Sequence, residues 1–286
     1  MIGIALADAH KKFLENLKNN RRASATILAY GKDISQIIDF LAERAKRQAD
    51  EVQKDDLEAF LNKLSREGYT PKSISRKINS LKTFFKFLKD QTFIDTNPSS
   101  LITHPKFEAK PPKILSKMEY RALRDACRQD TRMSAVVETL LQTGIRIGEL
   151  AALTIESVKD SILIVPPIEN HPMREIPLNK AVKQALDRYL SIRPKGSEKN
   201  LFVTKTGHPL LIRNIRTVID RYFKIAGIKA AKVNDLRHTW VAHHLMSGTS
   251  LVMVSKLAGH KRLSTTEKYL DLVKDRMEEK VRLEEL

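Results

Sequence analysis

Residues 141–153 read LQTGIRIGELAAL, and the fold turns on how that stretch is parsed. An apolar helical run through Leu140 and Leu141 meets Gly144, the residue type that ends helices because it enters the left-handed conformation without a Cβ penalty. Another helix begins almost at once, so the segment is a corner between two helices that projects Arg146 from its apex. The helix dipole disfavours a cation at a helix N-terminus, so Arg146 needs a partner of its own. Two fit: Glu149, three residues on, as a salt bridge, or an anion shared with the helix amides. Around this corner the helical patterns are interrupted by short strand signals, ILIV at 162–165, REIPL at 174–178, and LFV at 201–203 ahead of the turn-prone Thr206-Gly207. The expected class is mainly α with a small β-sheet.

Upstream, apolar residues recur at helical spacing in Ile27, Tyr30, Ile34, Ile37, Ile38 and Leu41, and again in Leu57, Phe60, Leu61 and Leu64 before Gly68. In SISRKINSLKTFFKFLKD at 73–90, Ile74, Ile78, Leu81, Phe85 and Leu88 form one stripe, and Lys82, Lys86 and Lys89 are displaced from it. Lys72, Arg76 and Lys77 lie in the same segment, so this basic face suits phosphate contact as well as plain solvation. After Phe93, DTNPSSLITHPKFEAKPPK at 95–113 holds four prolines and no helical period, the mark of an extended linker. Ser116 then precedes Glu119 by three, a capping box that opens a new helix. The chain divides into a helical domain over 1–94, a linker over 95–114 and a second domain over 115–286. Its tail from Lys274 to Leu286 is charged and amphipathic, with Val281, Leu283 and Leu286 placed to dock on a neighbouring copy or on the chain itself.

A formal net charge of +17 on 286 residues makes a polyanion, nucleic acid foremost, the expected partner. No apolar run is long enough to span a membrane, and the start MIGIALADAHKKF soon turns polar, so a cytoplasmic protein without a secretory signal is expected. A single cysteine, Cys127, cannot form an internal disulfide and is expected to be inert; no Cys/His cluster has metal-ligand spacing.

Two further stretches bear chemistry. VNDLRHTWVAHHL at 233–245 carries Arg237, His238, His243 and His244 on one helix; the last two read as packing or water-facing, and His238 as support. LAGHKRLSTTEKYLDL at 257–272 gives His260, then a helix start at Ser264 with Glu267 three residues on, and Tyr269 in the first turns. A tyrosine on a helix is by itself core or surface. Together, however, the three stretches supply what phosphoryl transfer needs: planar guanidinium forks for the non-bridging oxygens, a further donor, and a nucleophile able to form a covalent intermediate.

TGIRIGEL, LRH with AHHL downstream, and AGH followed nine residues later by Tyr269 resemble the signature boxes of tyrosine recombinases of the Xer type. SATILAYGKDISQIIDFL, TPKSISRKINSLKTFFKFL and the Asn97-Pro98 linker resemble that family's core-binding domain, and length and layout look closest to its archaeal members. The resemblance implies a two-domain clamp on double-stranded DNA, with a helical domain on one face and a mixed α/β catalytic domain on the other. Arg146 and Arg237 hold the scissile phosphate, His260 hydrogen-bonds it, and Tyr269 attacks to leave a 3′-phosphotyrosine and a free 5′-hydroxyl, with no metal or cofactor. It also implies a homotetramer on paired recombination sites, the tail making the contact between neighbours, and chromosome dimer resolution at a dif-like site on the nucleoid.

Two positions depart from the family pattern. Asn234 stands where members usually have His, and an amide hydrogen-bonds but does not take protons at neutral pH. Glu169 stands where the catalytic Lys of the β-turn is usual, which leaves His171, Arg174 or Lys205 to protonate the departing 5′-oxygen, with Lys205 ranked first. These departures keep open an accessory DNA-binding protein of the same fold that has lost catalysis. A relaxing activity of topoisomerase type, without synapsis, is a third reading.

Overall fold

The structure, a computed structural model, describes residues 3–108, 111–169, 171–196 and 198–277. The chain forms two compact units, Met1–Ala109 and Lys110–Leu286. Among the described residues no helix is long and apolar enough to cross a membrane.

The first unit is helical: α1 (Leu6–Asn19), α2 (Ser24–Ala42), α3 (Lys54–Arg66) and α4 (Pro71–Asp90). α4 starts where Thr70 accepts from the Ser73 N–H and Pro71 occupies the first helical position, which has no use for an amide donor. The stripe from Ile74 to Leu88 is buried as its spacing predicts, and Phe84 packs edge-on against Phe13 with centroids 5.2 Å apart. Each such side chain contributes roughly 1.5–3 kcal/mol. One reading of the basic face needs correcting. Lys77 is buried and donates to Asp33 at 2.9 Å and to Gln36 at 2.6 Å, so it belongs to the interior of this unit. Arg76 also forks onto Asp33, with Nη2 at 2.8 Å from Oδ1. Lys72, Lys86 and Lys89 remain exposed. Ile94 and Ile102 are buried in the helical core and Ser99 is fully buried, so the first part of the expected linker folds back onto this unit. Its one apolar anchor, Ile102, outweighs the extended bias of the prolines around it.

The second unit runs α5 (Lys117–Cys127), α6 (Thr131–Thr143), α7 (Ile147–Ala152), β1 (Val158–Lys159), β2 (Ile162–Val165), β3 (Arg174–Pro177), α8 (Lys180–Ile192), α9 (Ile212–Ile225), α10 (Val233–Met246), α11 (Leu251–Ala258), α12 (Ser264–Glu267) and α13 (Leu270–Met277). The capping box forms: Ser116 Oγ accepts from the Glu119 N–H at 3.2 Å, and the Ser116 N–H donates to Glu119 Oε2 at 2.9 Å. The strands make an antiparallel sheet in the order β1-β2-β3, with Leu163 opposite Ile176 and Val165 opposite Arg174. Leu163, Val165 and Ile176 face inward, following the two-residue alternation. LFV at 201–203 stays outside this sheet, making isolated bridges through Asn200 and Val203 instead. Cys127 is buried and its thiol is pushed up to about 11 by burial, which makes it unreactive. The class is mainly α with a small sheet, as the sequence predicts. Most of the tail expected to contact a neighbour, including Val281, Leu283 and Leu286, lies outside the described residues.

Candidate active site

Two helix ends build the site. α6 terminates on Gly144 in the left-handed conformation, φ 62°, and α11 on Gly259, φ 66°. Unsatisfied carbonyl oxygens at helix C-termini carry the negative end of the dipole and attract cations. Arg237 Nη1 donates to Gly144 O at 2.5 Å, and Arg146 Nη2 donates to Gly259 O at 2.8 Å. Neither glycine admits a side chain: a Cβ on Gly144 would run into the Trp240 indole, and one on Gly259 would lie 2.9 Å from the Arg174 guanidinium carbon. The indole is itself fixed, its N–H donating to Gln142 O at 2.8 Å.

Arg146 stands at the start of α7, as its place after Gly144 predicts, and the expected partner Glu149 is 2% exposed beside it. The carboxylate accepts from the Arg146 N–H and Nη1, both at 2.8 Å, and from Arg174 Nη1 and Nη2 at 2.9 and 2.7 Å. Burial alone would raise this carboxyl's pKa, but the hydrogen bonds from Arg174 and the Arg146 backbone, with the two guanidinium charges, hold it at about 2. Arg174 Nε donates to Leu257 O at 2.7 Å, so all three of its nitrogens are engaged. That ties Arg174 down as a clamp on Glu149.

Arg237 is 5% exposed, and its Nη2 is buried without a partner among the described residues. Burial first, then repulsion from Arg146, lowers its pKa to about 10. A buried donor without an acceptor costs about 1–3 kcal/mol, more when charged, so this corner favours an incoming anion. His260 Nδ1 lies 2.7 Å from Oγ1 of the buried Thr266. Burial, followed by Arg237 and Arg146, lowers the imidazole to about 4, so the ring is neutral at pH 7.

Tyr269 sits in the turn between α12 and α13, 6% exposed, its ring stacked on His260 with centroids 6.4 Å apart. α12 starts at Ser264, as the sequence predicts, with Leu263 before it making no side-chain cap bond. The Tyr269 hydroxyl lies 2.5 Å from His238 Nδ1. Burial raises the phenol's pKa against the lowering effect of Arg237, and burial likewise lowers that of His238. The sequence reading, which gave His238 a supporting place, missed this direct contact with Tyr269. The signal was there: Asn234, at the family's usual His position, precedes His238 by four on α10, so the two share a helix face. Asn234 itself is exposed. His243 is exposed and His244 packs on Trp240 at 4.6 Å, as read.

Arg146, Arg237, His260 and Tyr269 thus converge, and Lys205 does not join them. It is exposed two residues after Val203, whose carbonyl oxygen accepts from Arg132 in the first turn of α6. The carbonyl that seats Arg237 lies beyond the last turn of the same helix, about 18 Å along at 1.5 Å per residue. The turn between β2 and β3 is nearer the cluster. His171 lines a cavity of about 820 Å³ with Arg174, Gly259, His260 and Lys261, whereas Glu169 is exposed in that turn at φ 51°. His171 Nδ1 is buried without a partner among the described residues, and its pKa is lowered by burial, then by Arg146 and Lys261.

The phage integrase family profile matches residues 113–276, and that of the phage integrase N-terminal SAM-like domain matches 11–92. Tyrosine recombinase XerC of Thermodesulfovibrio yellowstonii is 29% identical over 273 residues, covering 90% of this chain and 89% of that protein. Further XerC relatives, at 28–30% identity, are likewise bacterial, which weighs only weakly against the archaeal reading of length and layout. Among solved structures, XerA recombinase aligns over 97% of this chain and 100% of its own, with 27% identity and a TM-score of 0.56. A λ integrase tetramer bound to a Holliday junction aligns over 91% and 78%, with a TM-score of 0.75; at 20% identity it shows the shared fold.

Proposed function

The chain belongs to the phage integrase family of tyrosine recombinases, and from that premise we propose that it cuts and rejoins double-stranded DNA at a specific site through a 3′-phosphotyrosine at Tyr269. The observation that carries the reading is the convergence of Arg146, Arg237 and His260 beside a buried Tyr269, with one guanidinium nitrogen of Arg237 buried and unpaired among the described residues. The two guanidinium groups take the non-bridging oxygens, and His260, neutral at pH 7, adds a donor. Charge that builds up on phosphorus oxygens in the transition state then meets donors already in place. Tyr269 displaces the 5′-oxygen, and because the phosphotyrosine conserves the phosphodiester's energy, a 5′-hydroxyl reseals the strand without ATP. The leaving oxygen takes its proton from the cavity side, where His171 and Lys261 adjoin His260, rather than from Lys205.

Strand exchange needs two duplexes and four sites, so the working assembly is a homotetramer on DNA, as in the λ integrase complex on a Holliday junction. The likeness to XerC relatives supports chromosome dimer resolution at a dif-like site as the biological setting. The exposed Asn234 and the β2–β3 turn without lysine favour one rival, an accessory protein that binds DNA without cutting it. A suicide duplex carrying a candidate site separates the two. A covalent complex on a denaturing gel with wild type, absent in Tyr269→Phe, is expected; binding by both proteins with no complex from either overturns the enzyme reading.

A further inference from the structure

We propose that His238 is the base that takes the phenolic proton of Tyr269 as the tyrosine attacks phosphorus, a role that rests on the recombinase reading above. The contact is direct: Tyr269 Oη is 2.5 Å from His238 Nδ1, within reach of a proton. The base is also rigidly tied to the phosphate clamp. His238 follows Arg237 on α10, and that helix is pinned by Arg237 to Gly144 O, by Trp240 to Gln142 O and by Thr239, whose hydroxyl oxygen accepts from the Leu115 N–H at 2.8 Å.

The titratable and charged groups facing His238 are Tyr269 and His260 from the segment after α11, with Asp235 and Arg237 on its own helix. Burial holds the imidazole neutral, the form that accepts a proton, and Arg237 acts the same way; Asp235 favours the imidazolium once it forms. Asp235 is itself fixed, accepting from the Lys232 N–H at 2.7 Å. Asn234, one turn earlier on the same face, has an amide that cannot do this work. With the phenol donating to Nδ1, attack breaks the Oη–H bond, its electron pair forms the Oη–P bond, and the proton passes to Nδ1. The P–O5′ bond breaks with its pair on the 5′-oxygen, which becomes a hydroxyl by taking a proton from water or an acid of the cavity. Resealing runs each transfer backwards, and imidazolium returns the proton to Tyr269.

The test is the single-turnover rate of covalent-complex formation on the suicide duplex between about pH 6 and pH 10, for wild type, His238→Asn and His238→Ala. Asn keeps a polar atom near the place of Nδ1 but takes no proton. At pH 7 both variants should cleave about 10²-fold more slowly, with unchanged DNA binding, and recover toward wild type as the pH nears the phenol's own range. A His238→Asn rate equal to or above wild type overturns the proposal, and so does a loss that stays constant across the pH range, which a merely structural role would give. Wild type that forms no complex overturns it together with the recombinase reading, whereas a wild-type complex matched by both variants overturns only the base.

Discussion

Asp33 in the helical unit and Glu149 in the second are each buried among cations, and the two are finished differently. In the helical unit Asp33, 3% exposed, accepts from Arg76, from Lys77 at 2.9 Å and from Ser80 Oγ at 2.7 Å. The buried nitrogen there, Lys77 Nζ, has two acceptors, Asp33 and Gln36. In the second unit Glu149, 2% exposed, serves Arg146 and Arg174, but Arg237 is buried close by with its Nη2 unpaired and its pKa depressed to about 10. In the first assembly no buried side-chain nitrogen lacks a partner among the described residues. The second leaves Arg237 Nη2 without one, and under the proposed function its partner is a phosphate. Buried ion pairs alone therefore do not mark a site; a surplus donor placed beside Arg146, His260 and Tyr269 does.

The largest effects separate the two assemblies by deletion. Asp33→Ala and Glu149→Ala should each destabilise the protein by about 3–5 kcal/mol in denaturant unfolding, because each strands a buried cation. Only Glu149→Ala should also slow cleavage within the DNA-bound complex, by about 10²-fold, since Arg146 loses its orientation. Equal slowing by Asp33→Ala would break the comparison. An intermediate effect comes from acid. The Glu149 pKa is depressed to about 2, so its contribution to stability is complete above the ordinary carboxyl value of 4.5 and is lost as pH falls through 2. Roughly 3 kcal/mol should disappear across that window in wild type and be missing from Glu149→Gln, measured as unfolding free energy against pH. Parallel curves for the two proteins would show that the network does not hold the carboxylate charged. The smallest effect sharpens the surplus-donor argument: inorganic phosphate, against chloride at matched ionic strength, should stabilise wild type by about 1 kcal/mol at several times its dissociation constant. Arg237→Ala should lose that increment in thermal unfolding, and an equal gain in both proteins would count against Arg237 as the anion's seat.

Much of this was legible in the chain. The helical stripes, the stop at Gly144 with Arg146 after it, the capping box at Ser116 and two of the expected strands follow from spacing within a few residues. Lys77 was misread because its stripe position sits between core and surface, and only the arrival of Asp33, 44 residues away, decides that it is buried. Lys205 was ranked first as proton donor for its chemistry, but its turn belongs to the far end of α6.

The sequence by itself determined which residues are available for phosphoryl transfer, because helix periods, caps and signature spacings depend on near neighbours in the chain. The tertiary structure alone decided which of them meet. Arg237 reaches Gly144 O across 93 residues, Arg146 reaches Gly259 O across 113, and Tyr269 reaches His238 across 31. Contacts at such separations leave no period or motif in a single sequence. They exist because packing brings the left-handed ends of α6 and α11 to one place, where exposed carbonyl oxygens draw in arginines that burial would otherwise exclude.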